Sequence, residues 1–537
     1  MRYILKINTN RVNIWNDKKK HIFSNKARIK SISDLVSSIS HNERKKSKAK
    51  YSNIKDSHDS DDDCSTTRDS NMEDSRDSND CSTTRNSNAD NDSYSYVSSS
   101  SSSSSVQNNP RNSITNYLSS KKIAHKWLKN IECILLLECS GKEYNIFAKV
   151  FGINIDFSVP DLEISLVKNI TTVKNDKIPH EWAIDCIKVS ELWDENIRGK
   201  DTCVAIFDTG IDINHEQLSK NYSGISRDFV NSSDKIYDDN GNGTSICGLI
   251  CSKNVNGFNI GVAPNTKWIS CKILDQNGSG YLSFFLEACD FILDGNKFCN
   301  VIHCCFSLHT FVNSNNEDYG KLFSDVIDKL SNNKIYLCFP CGNWGEETQY
   351  PNYLKNVFLT GSHDIDFKIS KFTEFGYCSG AFKPDIVCPG ENILTCVFNK
   401  YLPGKNNDII FDNNKNPYKI VSGTSYASAY LAGSILLLME CLTLREINYN
   451  FTIIKSILNQ QAFRTSQNVS VPCIYSVVDD VVHKRYNPNN KDMDEQDSLT
   501  FIQNLVRPVP KIENRIADKL NPKFCYLDIS TIYFGVL

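Results

Sequence analysis

The sequence lacks several features that would place it in other functional classes. It has no run of about 18 consecutive apolar residues, so it predicts no transmembrane helix. An excess of charge is also missing: 60 Lys and Arg residues against 63 Asp and Glu residues give a net charge of −3. A chain with this balance has no bulk attraction to nucleic acid, and we expect no nucleic-acid partner. The N-terminal stretch is interrupted by Arg2, Lys6 and Arg11, so no standard signal peptide is visible.

Cysteines are numerous, but a framework of paired metal-binding motifs is absent. The chain has 21 cysteines. The two close pairs, Cys304-Cys305 and Cys338-x-x-Cys341, lie in apolar runs typical of buried strands. Such cysteines behave as small hydrophobic residues, and this interpretation is favoured over metal ligation. We therefore expect neither a metal site nor a cofactor, while the odd count leaves the redox compartment open.

Residues 1–120 are a poor candidate for a fold. They are rich in Lys at first, then in Asp, Ser and Asn, and they end in a serine run from Ser98 to Ser105. The segment Asp63–Asn71 recurs almost unchanged at Asp80–Asn88, which indicates a slipped low-complexity duplication. This composition buries too little apolar surface to offset the chain entropy lost on folding. The sequence predicts a disordered low-complexity region over residues 1–120.

Ordered structure is predicted from about residue 122 onwards. Residues 122–178 combine short apolar runs of strand length, Ile131–Cys139 and Tyr144–Phe157, with a helical turn and a strand in Leu162–Lys174. This pattern is typical of a small α+β segment. It ends at a plausible linker, Asp176–Pro179. We place a second domain at 180–477 and a C-terminal extension at 478–537.

From Trp182 the pattern alternates between buried strands and helices. The predicted elements are strands at Val204–Phe207, Trp268–Leu274, Asn300–Phe306, Lys334–Phe339 and Val357–Gly361, with helices at Ser283–Leu293 and Tyr319–Leu330. Continuous apolar strands that alternate with helices predict an α/β domain, doubly wound, with a mostly parallel sheet and helices on both faces. In this architecture, functional groups lie at the carboxyl ends of the strands.

Three residues stand at positions suited to chemistry. Asp208 ends a buried strand, where a carboxylate can orient a base. Asn343 follows another strand, where its amide could donate to an oxyanion. Ser425 sits in a Gly-Thr-Ser turn that leads into an apolar helix, and a helix N-terminus favours developing negative charge. Each residue taken alone also fits a simple cap or turn.

Taken together and in order, the motifs resemble the subtilisin-like serine proteases, or subtilases. The matching segments are Trp182–Trp193, Asp208-Thr-Gly-Ile-Asp212, Asn240-Gly-Asn242-Gly-Thr244, Gly261-Val-Ala-Pro264, Cys341-Gly-Asn343, Lys383–Ile393 and Gly423-Thr-Ser425-Tyr-Ala-Ser428. The resemblance spans roughly residues 180 to 475. It implies a subtilisin-like fold, with Asp208 as the orienting carboxylate, Asn343 as the oxyanion donor and Ser425 as the nucleophile of a serine endopeptidase.

One position departs from the family pattern, because Asn242 stands where the general-base His belongs. A carboxamide does not titrate near neutrality and cannot take the Ser proton as imidazole does. The sequence therefore predicts a catalytically inactive homologue, a binding or scaffold protein with a peptide or protein ligand in a remodelled groove. The alternative is an active serine endopeptidase with a relocated or substrate-supplied His; the candidate histidines are His215, His303, His309 and His363.

Other departures point in the same direction. The family's Ser-Leu-Gly-Gly substrate strand reads Cys305-Phe-Ser-Leu308, so glycines that allow close backbone approach are lost. The segment before the oxyanion Asn reads Phe339-Pro-Cys341, and a Pro removes a backbone donor. A family calcium ligand is replaced by Gln217, and the loop near Asn256–Ile260 is shortened, so no calcium is expected there.

The segment 122–178 resembles the inhibitory prodomain that precedes the catalytic domain in this family. If Asn242 prevents self-cleavage, this prodomain-like segment should stay attached over the groove. The richness in Asn and Lys, with long low-complexity inserts, resembles subtilases of apicomplexan parasites. That resemblance implies the secretory pathway or the cell surface as the location.

Overall fold

A computed structural model describes most of the chain from residue 110 to residue 472, together with the N-terminal stretch. The described residues are 1–7, 110–168, 170–172, 178–253, 260–295, 298–308, 317–350, 354, 356–378, 380–398, 409–412, 414–460, 462–464 and 470–472. The predicted C-terminal extension and most of the low-complexity region lie outside these residues.

The described residues form strands and helices in the following order. The strands are β1 (Tyr3–Ile7), β2 (Ala124–Leu128), β3 (Cys133–Glu138), β4 (Ile155–Pro160), β5 (Glu163–Ser165), β6 (Cys203–Asp208), β7 (Tyr222–Asp228), β8 (Lys267–Lys272), β9 (Ser279–Tyr281), β10 (Val301–Cys304), β11 (Tyr336–Pro340), β12 (Glu347–Gln349), β13 (Phe358–His363), β14 (Phe375–Cys378), β15 (Ala381–Lys383), β16 (Ile386–Pro389), β17 (Ile393–Cys396), β18 (Ile409–Phe411), β19 (Pro417–Val421), β20 (Ala462–Arg464) and β21 (Ser470–Pro472). The α-helices are α1 (Pro110–Ser120), α2 (Gly141–Phe151), α3 (Trp182–Ile187), α4 (Val189–Asp194), α5 (Glu216–Ser219), α6 (Asn242–Cys251), α7 (Leu282–Leu293), α8 (Glu317–Asn332), α9 (Thr424–Leu444) and α10 (Phe451–Gln460).

The central sheet confirms the predicted doubly wound α/β fold. Its seven strands are all parallel and lie in the order β16-β13-β11-β10-β6-β8-β7. Strand β6 is buried along its whole length, and its side chains alternate between two hydrophobic clusters. Val204 and Ile206 pack on one face, whereas Ala205 and Phe207 pack on the other. A strand covered on both faces has to be apolar throughout, which explains the continuous apolar run.

The helices on the two faces of the sheet differ in character. Helix α8 is amphipathic: Leu322, Phe323, Val326, Ile327 and Leu330 are buried at helical spacing, while acidic residues begin the helix. Helix α9 is instead buried nearly all round and packs in the other cluster with α6. Its 21 residues are long and apolar enough to cross a membrane by composition, but 89% of that window is buried inside the domain. Helix α9 is therefore a core helix that packs against the central sheet.

A second sheet has four antiparallel strands in the order β2-β3-β1-β4. Strand β1 lies between β3 and β4, and Ile4 and Leu5 are fully buried. The prediction that residues 1–120 have no fold is therefore wrong for Tyr3–Ile7, and it is also wrong for Pro110–Ser120. A five-residue apolar strand in a Lys-rich context gives too short a pattern to be noticed in the sequence.

This four-stranded sheet packs against the face of the central sheet that carries α7 and α8. Ile4, Leu135 and Val159 belong to the same hydrophobic cluster as side chains of both helices. The buried Lys6 Nζ lies 3.0 Å from Asp325 Oδ2 of α8. The prodomain-like segment is thus docked through apolar contact, with ion pairs at its edge.

Helices α1 and α2 belong to a compact unit distinct from the one that contains the central sheet. Tyr117 contacts Phe151 with ring centroids 5.2 Å apart, and Phe147 packs beside them. The predicted strand over Tyr144–Phe157 is wrong, because these residues form α2 and then β4. Its aromatic residues recur every three or four positions, which is the helical period.

Candidate active site

Asp208 is the last residue of β6, and its carboxylate is fully buried. The backbone N–H of Thr209 donates to Asp208 Oδ1 over 2.7 Å. Burial raises the pKa of Asp208 to about 7, and the Thr209 hydrogen bond opposes this shift. The structure thus places a carboxyl group at the carboxyl end of a central strand, as predicted, in an environment that disfavours its charge.

Asn242 is the first residue of α6, and its side chain reaches Asp208. The Nδ2 group donates to Asp208 Oδ2 over 2.8 Å. The helix can start this close because residue 243 is Gly: a Cβ there would lie 2.0 Å from the carbonyl oxygen of Gly210. The amide of Asn242 therefore makes the contact with Asp208 that orients a base in a serine protease triad.

The thiol of Cys305 is a third member of this cluster, and sequence reasoning did not assign it there. The same Asn242 Nδ2 lies 3.1 Å from Cys305 Sγ. Burial, reinforced by the carboxylate of Asp208, raises the pKa of the Cys305 thiol well above its ordinary value. The thiol stays protonated and is no nucleophile. The only sequence signal was its place in the altered substrate strand.

Asn343 follows β11 and is held in one orientation by the start of α9. Its Oδ1 accepts from the backbone N–H of Thr424 over 2.9 Å and from the Thr424 hydroxyl over 2.8 Å. Because both donors fix the oxygen end of the amide, the Nδ2 end has to point the other way. This end donates to the carbonyl oxygen of Lys168 over 2.8 Å. The amide predicted as an oxyanion donor thus holds a peptide carbonyl.

Ser425 is the second residue of α9 and is 6% exposed. It lines a cavity of about 490 Å³ together with Asn242 and Asn343. Placement at the first turn of a 21-residue helix puts its hydroxyl in the positive end of the helix dipole. The structure therefore brings Asp208 and Asn242 into contact and places Asn343 and Ser425 around one shared cavity.

A stretch of the chain itself lies in this groove as an extended segment. Strand β5 pairs antiparallel with β9. Further along, the N–H of Ser307 donates to the carbonyl of Ser165 over 2.7 Å, and the N–H of Val167 donates to the carbonyl of Cys305 over 3.3 Å. On the opposite edge, the N–H of Leu166 donates to the carbonyl of Gly278 over 2.8 Å.

We call residues 163–168 the groove segment. Residues 305–308, where the family's glycines are lost, still form backbone hydrogen bonds with this segment. Side chains at Phe306 and Ser307 leave the backbone edge accessible, since the ladder bonds form beside them.

The candidate histidines among the described residues contact other groups. His215 Nε2 lies 3.2 Å from the carbonyl of Pro417, and His363 Nδ1 lies 2.7 Å from the carbonyl of Asp364. His303 Nε2 lies 2.7 Å from the hydroxyl of Ser428. Burial lowers the pKa of His303 to about 3 and that of His363 to about 4, and it also lowers that of His215. His309 lies outside the described residues.

Nearly all cysteines of the described residues are buried. Cys304, Cys338 and Cys341 are among them, in line with their interpretation as small core residues. No group of three or more His, Cys, Asp or Glu side chains is arranged to hold a metal ion among the residues that the structure describes. The absence of a calcium site stays a prediction.

Comparison with known proteins gives a consistent picture. Residues 199–487, more than half of the chain, match the subtilase family model Peptidase_S8. The "Major intracellular serine protease" of Bacillus subtilis (strain 168) is 29% identical over 266 residues, which cover 48% of this chain and 73% of that protein. The "Minor extracellular protease Epr" of the same organism is 28% identical over 292 residues, 53% of this chain and 39% of that protein.

One solved structure is described as a cold adapted subtilisin-like serine proteinase. It is 20% identical, with a TM-score of 0.40, over 51% of this chain and 88% of that one. The fold assignment rests on the observed seven-stranded sheet and on the family match.

Proposed function

The chain belongs to the subtilase family, and on this premise we propose that it is a binding or scaffold protein that does not hydrolyse peptide bonds. Its ligand is a peptide or a protein segment bound in the groove that runs past Ser425. The family relationship implies a serine endopeptidase ancestry, but a shared fold does not by itself determine what this chain does.

The observation that carries the proposal is the contact between Asn242 and Asp208. Proton transfer from Ser425 requires a group that accepts a proton near neutral pH and sits next to the hydroxyl. Asn242 presents its Nδ2, a donor, to Asp208 over 2.8 Å, and a carboxamide does not titrate in this range. Asp208 is therefore paired with a group that cannot relay a proton.

Three candidate histidines, His215, His303 and His363, give the competing view little support. Burial lowers the pKa of each of them, and each ring bonds to a group other than the hydroxyl of Ser425. His303 comes nearest: its partner, the Ser428 hydroxyl, donates to the backbone carbonyl of Ser425 over 2.8 Å. This link ends on the backbone of the nucleophile turn and not on the Ser425 hydroxyl.

The groove segment supports the binding part of the proposal. It pairs with strand edges on both sides, as an extended ligand does when it adds a strand to a sheet. Asn343 donates to the carbonyl of Lys168 in this segment, so the groove holds a peptide whose bonds are intact. We propose that this prodomain-like region stays covalently attached and regulates access to the groove.

A fluorophosphonate probe tests the proposal directly. The purified full chain should show no labelling above the level of a Ser425→Ala control, because Ser425 lacks a base. Labelling that depends on Ser425, or recovery of a fragment that begins near Trp182 and requires Ser425, would overturn it. A parallel thermal melt of both proteins ensures that equal labelling does not reflect unfolding.

The second candidate function is an active serine endopeptidase that uses a relocated or substrate-supplied His. The observation in its favour is that Asn343, oriented by Thr424, already holds a peptide carbonyl beside Ser425. A set of peptide substrates, each with one His at a different position of the cleaved segment, tests this second function. Cleavage that requires that His and Ser425 together would select this function over binding alone.

We further propose the secretory pathway or the cell surface as the location of the protein. One relative is named an extracellular protease and another an intracellular one, so relatives do not decide between compartments. Immunofluorescence on intact and on permeabilised cells tests the proposal: staining confined to cytosol would refute it.

A further inference from the structure

Lys168 makes two contacts at the end of the groove segment. Its carbonyl oxygen accepts from Asn343 Nδ2 over 2.8 Å. Its ammonium group Nζ lies 4.0 Å from the ring centroid of Trp344. One residue of the segment is therefore held through its backbone and its side chain by two consecutive residues of the groove wall.

The Trp344 ring is positioned for recognition rather than for core packing. It is 51% exposed, an unusual state for a large aromatic side chain next to a buried site. A cation within about 6 Å of an indole face is attracted by the ring's quadrupole. The preceding side chain, Val167, is buried in the groove, so the segment presents an aliphatic residue followed by a cation.

We propose that Trp344 is a specificity-determining residue of the groove and that it selects a basic side chain. The ligand class is an extended peptide in which an aliphatic residue is followed by Lys or Arg, with the carbonyl of the basic residue on Asn343. This inference rests on the proposed function, and it adds to it the kind of segment that competes with the chain's own residues 163–168.

The first test measures opening of the groove segment in the full chain by hydrogen exchange. The N–H groups of Leu166 and Val167 report on it, since they donate to carbonyls of the groove edges. Lys168→Met keeps the aliphatic stem and removes the charge, and Lys168→Arg keeps the charge. We expect exchange about two- to fivefold faster in Lys168→Met and in Trp344→Leu, with near wild-type rates in Lys168→Arg.

The double variant Lys168→Met/Trp344→Leu should exchange no faster than either single variant, because both changes remove one interaction. Additive effects of the two changes, or equal rates in Lys168→Met and wild type, would overturn the inference. Exposed Trp344 and Lys168 lie at the surface, so these variants are expected to fold, and unchanged exchange in the central sheet verifies this.

The second test addresses ligands in trans. Leu166→Pro removes the N–H that pairs with Gly278 and opens the groove. Fluorescent peptides Glu-Ile-Ser-Leu-Val-Lys, and the same peptide ending in Arg or in Met, are then titrated by anisotropy. Lys and Arg peptides should bind two- to fivefold more tightly than the Met peptide, and this difference should vanish in Trp344→Leu.

The outcomes separate the two proposals. Equal affinity of all three peptides would refute selection by Trp344 and leave the binding groove in place. Absence of binding by every peptide would refute both. Ser425-dependent labelling by a fluorophosphonate would refute the non-proteolytic function without bearing on the cation contact.

Discussion

The two halves of the site have diverged to different degrees. The nucleophile half consists of Ser425, Thr424 and Asn343, and the base half consists of Asp208, Asn242 and Cys305. In the nucleophile half, Thr424 donates twice to Asn343, and Asn343 holds a carbonyl. In the base half, an amide donor takes the place of a titratable ring and contacts both a carboxyl group and a thiol.

This difference shows which parts of an enzyme site also serve the fold. The turn before α9 ties a buried core helix to the loop after β11, so its residues retain a structural task without catalysis. Asn242, at the position of the family's base, instead lines the cavity together with Ser425. In the proposed function, replacement of the base by Asn242 leaves the packing of the domain intact.

The strongest test of this difference between the two halves is to restore a base at position 242. Asn242→His should yield fluorophosphonate labelling at Ser425 that exceeds the parent rate on the order of 10³-fold or more. The basis is that loss of the His alone costs about 10⁶-fold in subtilisin turnover. The measurement is the labelling rate of the purified full chain.

Asn242→Gln is the matched control, since it changes the length of the side chain and adds no base. Cys305→Ser added to Asn242→His removes the thiol contact and restores the residue type that the family carries there. A gain in Asn242→Gln as large as that in Asn242→His would contradict the interpretation, as would no gain in the double variant.

The nucleophile half makes the second prediction. In the Asn242→His background, Asn343→Ala should lower the labelling rate by about 10²- to 10³-fold, the usual effect of losing one oxyanion donor. Thr424→Val, which removes only the hydroxyl that orients the amide, should lower it less. If both variants label as fast as their parent, the nucleophile half is a structural remnant and no oxyanion site.

The same kind of division separates the parts of the site that could be predicted from the sequence from those that could not. Asp208 ends a strand, Asn343 follows one and Ser425 lies in the first turn of a helix, so short local motifs locate them. The contact of Cys305 with Asn242 joins residues 63 positions apart, and that of Lys168 with Asn343 joins residues 175 apart. Such contacts depend on strand register between distant elements, which no local pattern specifies.

The fold was predictable for a related reason. Strands of the central sheet are buried on both faces, so each appears as a continuous apolar run. Helix α2 was predicted as a strand because its aromatic residues belong to an apolar run that also has the length of a strand. Strand β1 was missed because its pairing partners lie far along the chain.

The third prediction concerns the charge of Asp208. Its pKa is raised to about 7 in the folded state, against about 3.9 in an unfolded chain. The folded protein thus binds more protons between these values, and stability falls as pH rises from about 4 to about 7. The full shift corresponds to about 4 kcal/mol at most.

Asp208→Asn should remove this dependence, so that the variant gains melting temperature relative to the parent as pH increases. Thermal melts between pH 4 and pH 8 check it. Asp366→Asn changes an exposed carboxylate and should leave the profile unaltered. If the melting temperature of the parent rises between pH 4 and pH 7 and Asp208→Asn abolishes that rise, the predicted direction of the pH dependence is wrong.

Strand β1 has a consequence for how the protein assembles. It lies at the centre of its sheet, yet more than a hundred residues separate it from β2. Bringing together strands this far apart in the chain costs roughly 2 kcal/mol more entropy than closing a ten-residue loop. Strand β1 is thus synthesised well before the strands that pair with it, and completion of this sheet becomes a late, slow event of high contact order.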